Sequence, residues 1–159
     1  MNIELINKTK FQLPKKELEN ISALFLKKNL ISCSSLALVF VGEARIKTLN
    51  LKYRQKNQAT DILSFSAANF PGAGAELILC PKRIARYLDY REVFLDCPEY
   101  FSRRLTLVKK KKLQKYLLFF VVIHGLLHLI GLNDEKENDR QEMVALGRKF
   151  LADHGFFPA

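Results

Sequence analysis

Residues 117–132 read LLFFVVIHGLLHLIGL, and no other stretch of this chain limits its possible folds so tightly. Two histidines and two glycines apart, every residue in it is apolar. A helix built from such a run has no polar face to turn to water, so it must be buried on all sides. It is also shorter than the ~20 residues a membrane span requires. The run therefore predicts the central helix of a soluble core and no membrane association.

A core helix needs other elements packed around it, and the flanking sequence contains them. Residues 1–8 alternate apolar and polar side chains and predict a strand. Pro14 opens a helix with Leu18, Ile21, Leu24 and Phe25 at helical spacing. LALVFV at 36–41 predicts a buried strand, and 43–54 an amphipathic helix with Ile46, Leu49 and Leu51 among its apolar positions. Two short strands follow at 62–66 and 76–80, joined by a loop containing Pro71, Gly72 and Gly74. Pro81 starts a helix carrying Ile84, Tyr87 and Leu88. Residues 91–112 mix acids, aromatics and lysines without a clear period. Helix resumes from Leu113 to Gly131, and Asp139 caps a last helix running through Leu151. No repeat or linker divides the chain. The expectation is one α+β domain over 1–159, a small mixed sheet of about four strands covered by about five helices.

The formal charge of +10 on 159 residues favours an anionic partner, nucleic acid first. Surface lysine also solubilises, so charge alone does not decide. Arg103, Arg104, Lys109, Lys110, Lys111, Lys112 and Lys115 form the densest basic cluster and are the candidate contacts to such a partner. Cys33, Cys80 and Cys97 are scattered and form no CxxC pair, which points to a reducing compartment and away from a thiolate zinc site. The first residues lack the charged-then-apolar pattern of an export signal, so a cytoplasmic location is expected.

The chemistry lies in VVIHGLLHLIGLND, residues 121–134. His124 and His128 stand four apart and project from one helical face, a spacing that suits two imidazoles on one tetrahedral ion. Gly131 is a natural helix stop, after which the chain can return Asp134 towards the histidines. A lone histidine in an apolar helix is more often a hydrogen-bonded core residue. Two of the three histidines in the chain, at ligand spacing and followed by Gly and a carboxylate, favour metal. His154, beside Gly155 near a helix end, is expected at the surface or in packing. The pattern H-x-x-x-H-x-x-G-x-x-D is similar in spacing to the metzincin zinc proteases, but Gly125 stands where their general base stands. Peptidase chemistry by that route is not expected.

The same segment resembles the signature of the YbeY family of metal-dependent endoribonucleases, usually HGxLHLxGYDH. His124, Gly125, Leu127, His128, Leu129 and Gly131 match in place. A second stretch, LNLKYRQKNQATDILSFS at 49–66, resembles that family's LNxxYRxxxxxTDVLSFP. Where the family has Tyr-Asp-His, this chain has Leu132, Asn133 and Asp134, so aspartate replaces the third histidine. Two His and one acid form an acceptable catalytic set with an open position for water. The resemblance implies a single zinc ion, with manganese or iron also open because of the carboxylate. Glu135, Glu137 and Asp139 compete as third ligand, but only Asp134 occupies the family's position.

The resemblance further implies cleavage of single-stranded RNA in maturation of small-subunit ribosomal RNA at its 3′ end and in ribosome quality control, with the small subunit as partner. It gives Arg54 a catalytic role at the phosphate, and Thr60 and Ser64 a phosphate-binding or ligand-orienting one. A surface arginine and two structural hydroxyls are the plain readings of those residues. The alternative function is a non-catalytic, metal-stabilised RNA-binding factor of the ribosome.

Overall fold

The run at 36–41 shows no polar alternation because the strand it forms is covered on both faces. The computed structural model describes residues 2–29, 34–66, 74–94, 100 and 105–158. Among them β1 (Asn2–Asn7), β2 (Ser35–Phe40), β3 (Ile62–Phe65) and β4 (Ala75–Leu79) form one sheet in the order β1-β2-β4-β3. β2 is parallel to both β1 and β4, whereas β3 pairs antiparallel with β4, Ile62 opposite Leu79 and Phe65 opposite Glu76. The sheet is mixed, as expected, with β1 and β3 at its edges.

The helices are α1 (Lys15–Lys28), α2 (Glu43–Arg54), a single turn α3 (Pro81–Ile84), α4 (Leu107–Leu129) and α5 (Glu137–Asp153). Side-chain alternation along the strands sorts them into two layers. Leu36, Leu38, Phe40, Leu77 and Leu79 face a large core shared with Leu18, Ile21 and Phe25 of α1, the middle of α4, and Met143 and Phe150 of α5. Val39, Val41, Leu63 and Ile78 point the other way, onto Ile46 and Leu49 of α2. Leu24 and Leu51 fall out of phase with these faces and stay exposed. α4 is long and apolar enough to cross a membrane, but 67% of its most apolar window is buried inside the protein. It is the core helix that its composition predicts.

Three boundaries differ from the expectation. The helix opened by Pro81 stops at Ile84, and Tyr87–Asp89 is a separate 3-10 turn. Leu88 is 51% exposed, so no apolar face continues past Ile84 to hold a longer helix. α4 begins at Leu107, not Leu113, because Thr106 caps it, its Oγ1 accepting from the Lys109 N–H at 3.3 Å. The four lysines lack apolar periodicity but are good helix formers, and they make up the helix's first turns. α5 starts at Glu137 with Lys136 at the cap position, so Asp139 is not the cap but lies in the first turn, where its charge complements the helix dipole. Arg91–Phe94 forms a further 3-10 turn. Cys80 is a buried free thiol, while Cys33, Cys97, Arg103 and Arg104 lie outside the described residues.

Candidate metal centre

The site is built by the way α4 ends. Gly131 adopts φ 93°, a left-handed conformation that L side chains resist. The Gly131 N–H donates to the His128 carbonyl at 3.0 Å and the Leu132 N–H to the Leu127 carbonyl at 3.2 Å. These are the two bonds of a Schellman stop. Leu132 packs back onto the core, and the reversal sets its carbonyl 3.0 Å from His128 Nδ1. A carbonyl only accepts, so Nδ1 carries the proton and Nε2 presents its lone pair to the site. Two residues later the Asn133 side chain accepts from the Asp134 N–H at 2.8 Å, fixing the turn that aims Asp134 inward.

Three ligand atoms converge. His124 Nε2 lies 3.2 Å from Asp134 Oδ2 and 3.2 Å from His128 Nε2, and His128 Nε2 lies 3.7 Å from Asp134 Oδ2. Metal–nitrogen bonds of ~2.0–2.1 Å at tetrahedral angles separate ligand atoms by about 3.3–3.4 Å, so the triangle has the size of a zinc site. The imidazoles are mostly buried, at 17% and 19% side-chain exposure, and Asp134 at 35% leaves the open side towards water. The hydrogen bond with His124 holds the Asp134 carboxyl down to about 2. Burial, then the neighbouring His124, lowers the basicity of His128. At neutral pH Asp134 is thus ionised and His128 neutral, the states a metal requires. Without an ion, a single N–H from His124 would have to serve both other acceptors. A cation relieves this excess of converging lone pairs, so the residues present fit a divalent ion. Among the described residues no other group of three ligands assembles. Glu137 bonds instead to Arg140 and Gln141.

Gly125 has a structural reason that the sequence does not show. A Cβ there would lie 2.4 Å from Ile62 Cδ1 of β3 and 3.1 and 3.2 Å from the Leu77 methyls of β4. The residue after the first histidine faces the sheet, and the packing against β3 and β4 leaves no room there for the glutamate of the metzincin pattern. Gly125→Ala is expected to destabilise the protein by up to about 2 kcal/mol, an overpacking cost of about 1–3 kcal/mol less the roughly 1 kcal/mol that Ala gains over Gly inside a helix. Urea unfolding checks this, and a midpoint raised by the full propensity gain would contradict the contact.

The other expected site residues are spread unevenly. Arg54 ends α2, is exposed, and is near enough for its charge to act on His128. Ser64 shares a strand face with Ile62, the face that meets α4, and its buried Oγ has no hydrogen-bond partner. Thr60 donates to the Asp61 carboxylate at 3.1 Å, which also accepts from the Ile62 N–H and Tyr90 hydroxyl. Thr60 therefore belongs to a structural cluster around Asp61. Lys109–Lys112 are not upstream of the metal helix but at its far end, about 18 Å or more from the histidines by helical rise. Lys115 pairs with Glu17 at 2.8 Å. His154 Nδ1–H donates to the Phe150 carbonyl, 2.7 Å away, and the ring packs on that of Phe150, a packing role as expected. The Leu132 carbonyl was not indicated by residue type, since only the backbone direction after Gly131 brings it to His128.

Comparison with known proteins agrees with this geometry. The family profile described as Endoribonuclease YbeY matches residues 3–155. An Endoribonuclease YbeY of Limosilactobacillus reuteri is 31% identical, with 98% of each chain covered. One from Bdellovibrio bacteriovorus is 27% identical over 92% of this chain and 90% of its own. A solution structure of a Thermotoga maritima protein shares the fold at a TM-score of 0.51 and 22% identity, covering 96% of this chain and 90% of that one. With a profile match from the first strand to the end of the last helix, and relatives matched along their whole length, this chain belongs to the YbeY endoribonuclease family.

Proposed function

We propose that the chain is a metal-dependent endoribonuclease that cuts single-stranded RNA, with residues 1–159 acting as one catalytic domain. Its setting is the cytoplasm, in maturation of small-subunit ribosomal RNA at the 3′ end and in ribosome quality control. The observation that carries the reading is the triangle of His124 Nε2, His128 Nε2 and Asp134 Oδ2, open to solvent on one side, in a member of an endoribonuclease family.

A divalent ion held by these three residues supplies a water of lowered pKa and a Lewis-acid contact for a phosphoryl oxygen. Zinc suits the triangle, and the Asp134 carboxylate also admits manganese or iron. Arg54 places positive charge where the pentacoordinate phosphate gathers negative charge. The Leu132 carbonyl holds His128 in the liganding tautomer. Ser64 offers a buried, unpartnered hydroxyl on β3 to a phosphate oxygen or to the ligand shell. Lys109–Lys112, distant along α4, grip phosphates well away from the scissile bond.

The test pairs metal content with cleavage of single-stranded RNA on the same protein. One equivalent of bound ion and cleavage abolished by chelation are expected. Restoring zinc at ~1,000 times its Kd should stabilise the chelated protein by about 4 kcal/mol, near 8–16 °C in Tm for this size. A folded protein that takes up no ion and cuts nothing with zinc or manganese would instead be the RNA-binding factor.

A further inference from the structure

The sheet face that carries α2 is only partly covered. Between α2 and the strands lies a groove of 550 Å³ whose lining includes Lys8, Val39, Arg45, Tyr53, Phe65 and Glu76. Tyr53 is 53% exposed, yet its ring is held in place. Phe65 meets it edge-on at 5.1 Å, and the Lys52 ammonium sits 5.1 Å from its centroid. An exposed aromatic ring fixed by a second one is a platform, costing little entropy when a flat ligand stacks on it. Lys8, Arg45, Lys52 and Arg54 surround this platform, and among the described residues none of them forms an ion pair. Glu76 is the one acid among the described residues of the lining.

The groove and the metal helix lie on opposite faces of edge strand β3. Phe65 lies on the α2 face of edge strand β3, while Ile62 on the same strand touches Gly125 of α4. Arg54 is therefore the link between the two, next to Tyr53 in sequence and within electrostatic reach of His128.

We propose that this groove binds an unpaired nucleotide of the substrate strand, its base stacked on Tyr53 and its phosphates held by Lys8 and Arg45. The inference rests on the endoribonuclease reading and deepens it. A base splayed onto an aromatic ring has left its duplex. Preference for single strands then follows from Tyr53 and Phe65, not from the ion.

The experiment measures binding of a fluorescein-labelled oligouridylate, about twelve nucleotides long, to chelated protein by anisotropy, so that no strand is cut. Tyr53→Ala is expected to weaken binding about ten-fold, and Tyr53→Phe by less than about two-fold. Arg45→Glu, at an exposed position, should weaken binding and flatten its dependence on salt. The chain has no tryptophan, so tyrosine emission is readable. Quenching by unlabelled oligouridylate should be smaller in Tyr53→Phe although that variant still binds. Tyr53→Ala protein that binds like wild type, while wild type cuts RNA once zinc is restored, overturns the groove and leaves the nuclease standing. Wild-type protein that neither binds nor cuts overturns the nuclease reading and the groove with it.

Discussion

Replacing His128 with alanine is expected to remove bound metal and RNA cleavage together while leaving the domain folded. The imidazole supplies one corner of the triangle, 3.2 Å from His124 Nε2 and 3.7 Å from Asp134 Oδ2, and no other histidine or acid among the described residues can replace it. Loss of an outer partner of a ligand already costs about 10–100-fold in affinity, so loss of the ligand itself should exceed about 100-fold. Cleavage should fall at least about 1,000-fold, since the several kcal/mol an ion supplies is worth a decade per ~1.4 kcal/mol. The structural cost is separate and small. The hydrogen bond from Nδ1 to the Leu132 carbonyl is lost, worth about 1 kcal/mol, or about 2–4 °C in Tm for the metal-free protein. Metal analysis, RNA cleavage and a thermal melt after chelation separate the two effects. An equivalent of ion retained in His128→Ala would sink the ligand assignment. Asp134→His, which restores the family's usual residue, should keep the ion where Asp134→Ala loses it.

Much of this site is legible in the sequence because its geometry is local. His124 and His128 share a face by helical periodicity, Gly131 marks the stop, and Asp134 lies within reach of the returning chain. Each of these depends on neighbours fewer than eleven residues away. The sheet is legible for a related reason: LALVFV at 36–41 is apolar on both faces because both are covered. The features that pattern does not reveal depend on distant contacts. Gly125 reads as a missing catalytic base, whereas its neighbours Ile62 and Leu77 come from strands far away in sequence. The early start of α4 is masked by Lys109–Lys112, whose side chains carry helix propensity without apolar period. Thr60 reads in the motif as a phosphate-binding, ligand-orienting or plain turn hydroxyl, and its contact with Asp61, which also binds Tyr90 across 29 residues, cannot be read from pattern.

Arg54→Ala is expected to lower kcat about 100- to 1,000-fold, the loss found when one preorganised donor to a developing anion is removed. Metal content should stay at one equivalent, because Arg54 holds no ligand and sits at the exposed end of α2. Its position argues for the role more than its residue type does. α2 ends in a left-handed cap at Gln55, φ 58°, which turns the chain away immediately after Arg54. Arg54 is thus the last residue of α2 and stands close enough for its charge to act on His128. Arg54→Lys keeps the charge but loses the planar fork, so it should recover only part of the rate. Neutralising Lys109–Lys112 makes the informative contrast. At about 18 Å or more from the histidines, these side chains can hold RNA but cannot touch the reacting phosphate. Their loss should raise KM and reduce its salt dependence while kcat stays near wild type. A kcat for Arg54→Ala within about two-fold of wild type, beside a raised KM, would move Arg54 from the reacting phosphate to the same strand-holding role as the lysines.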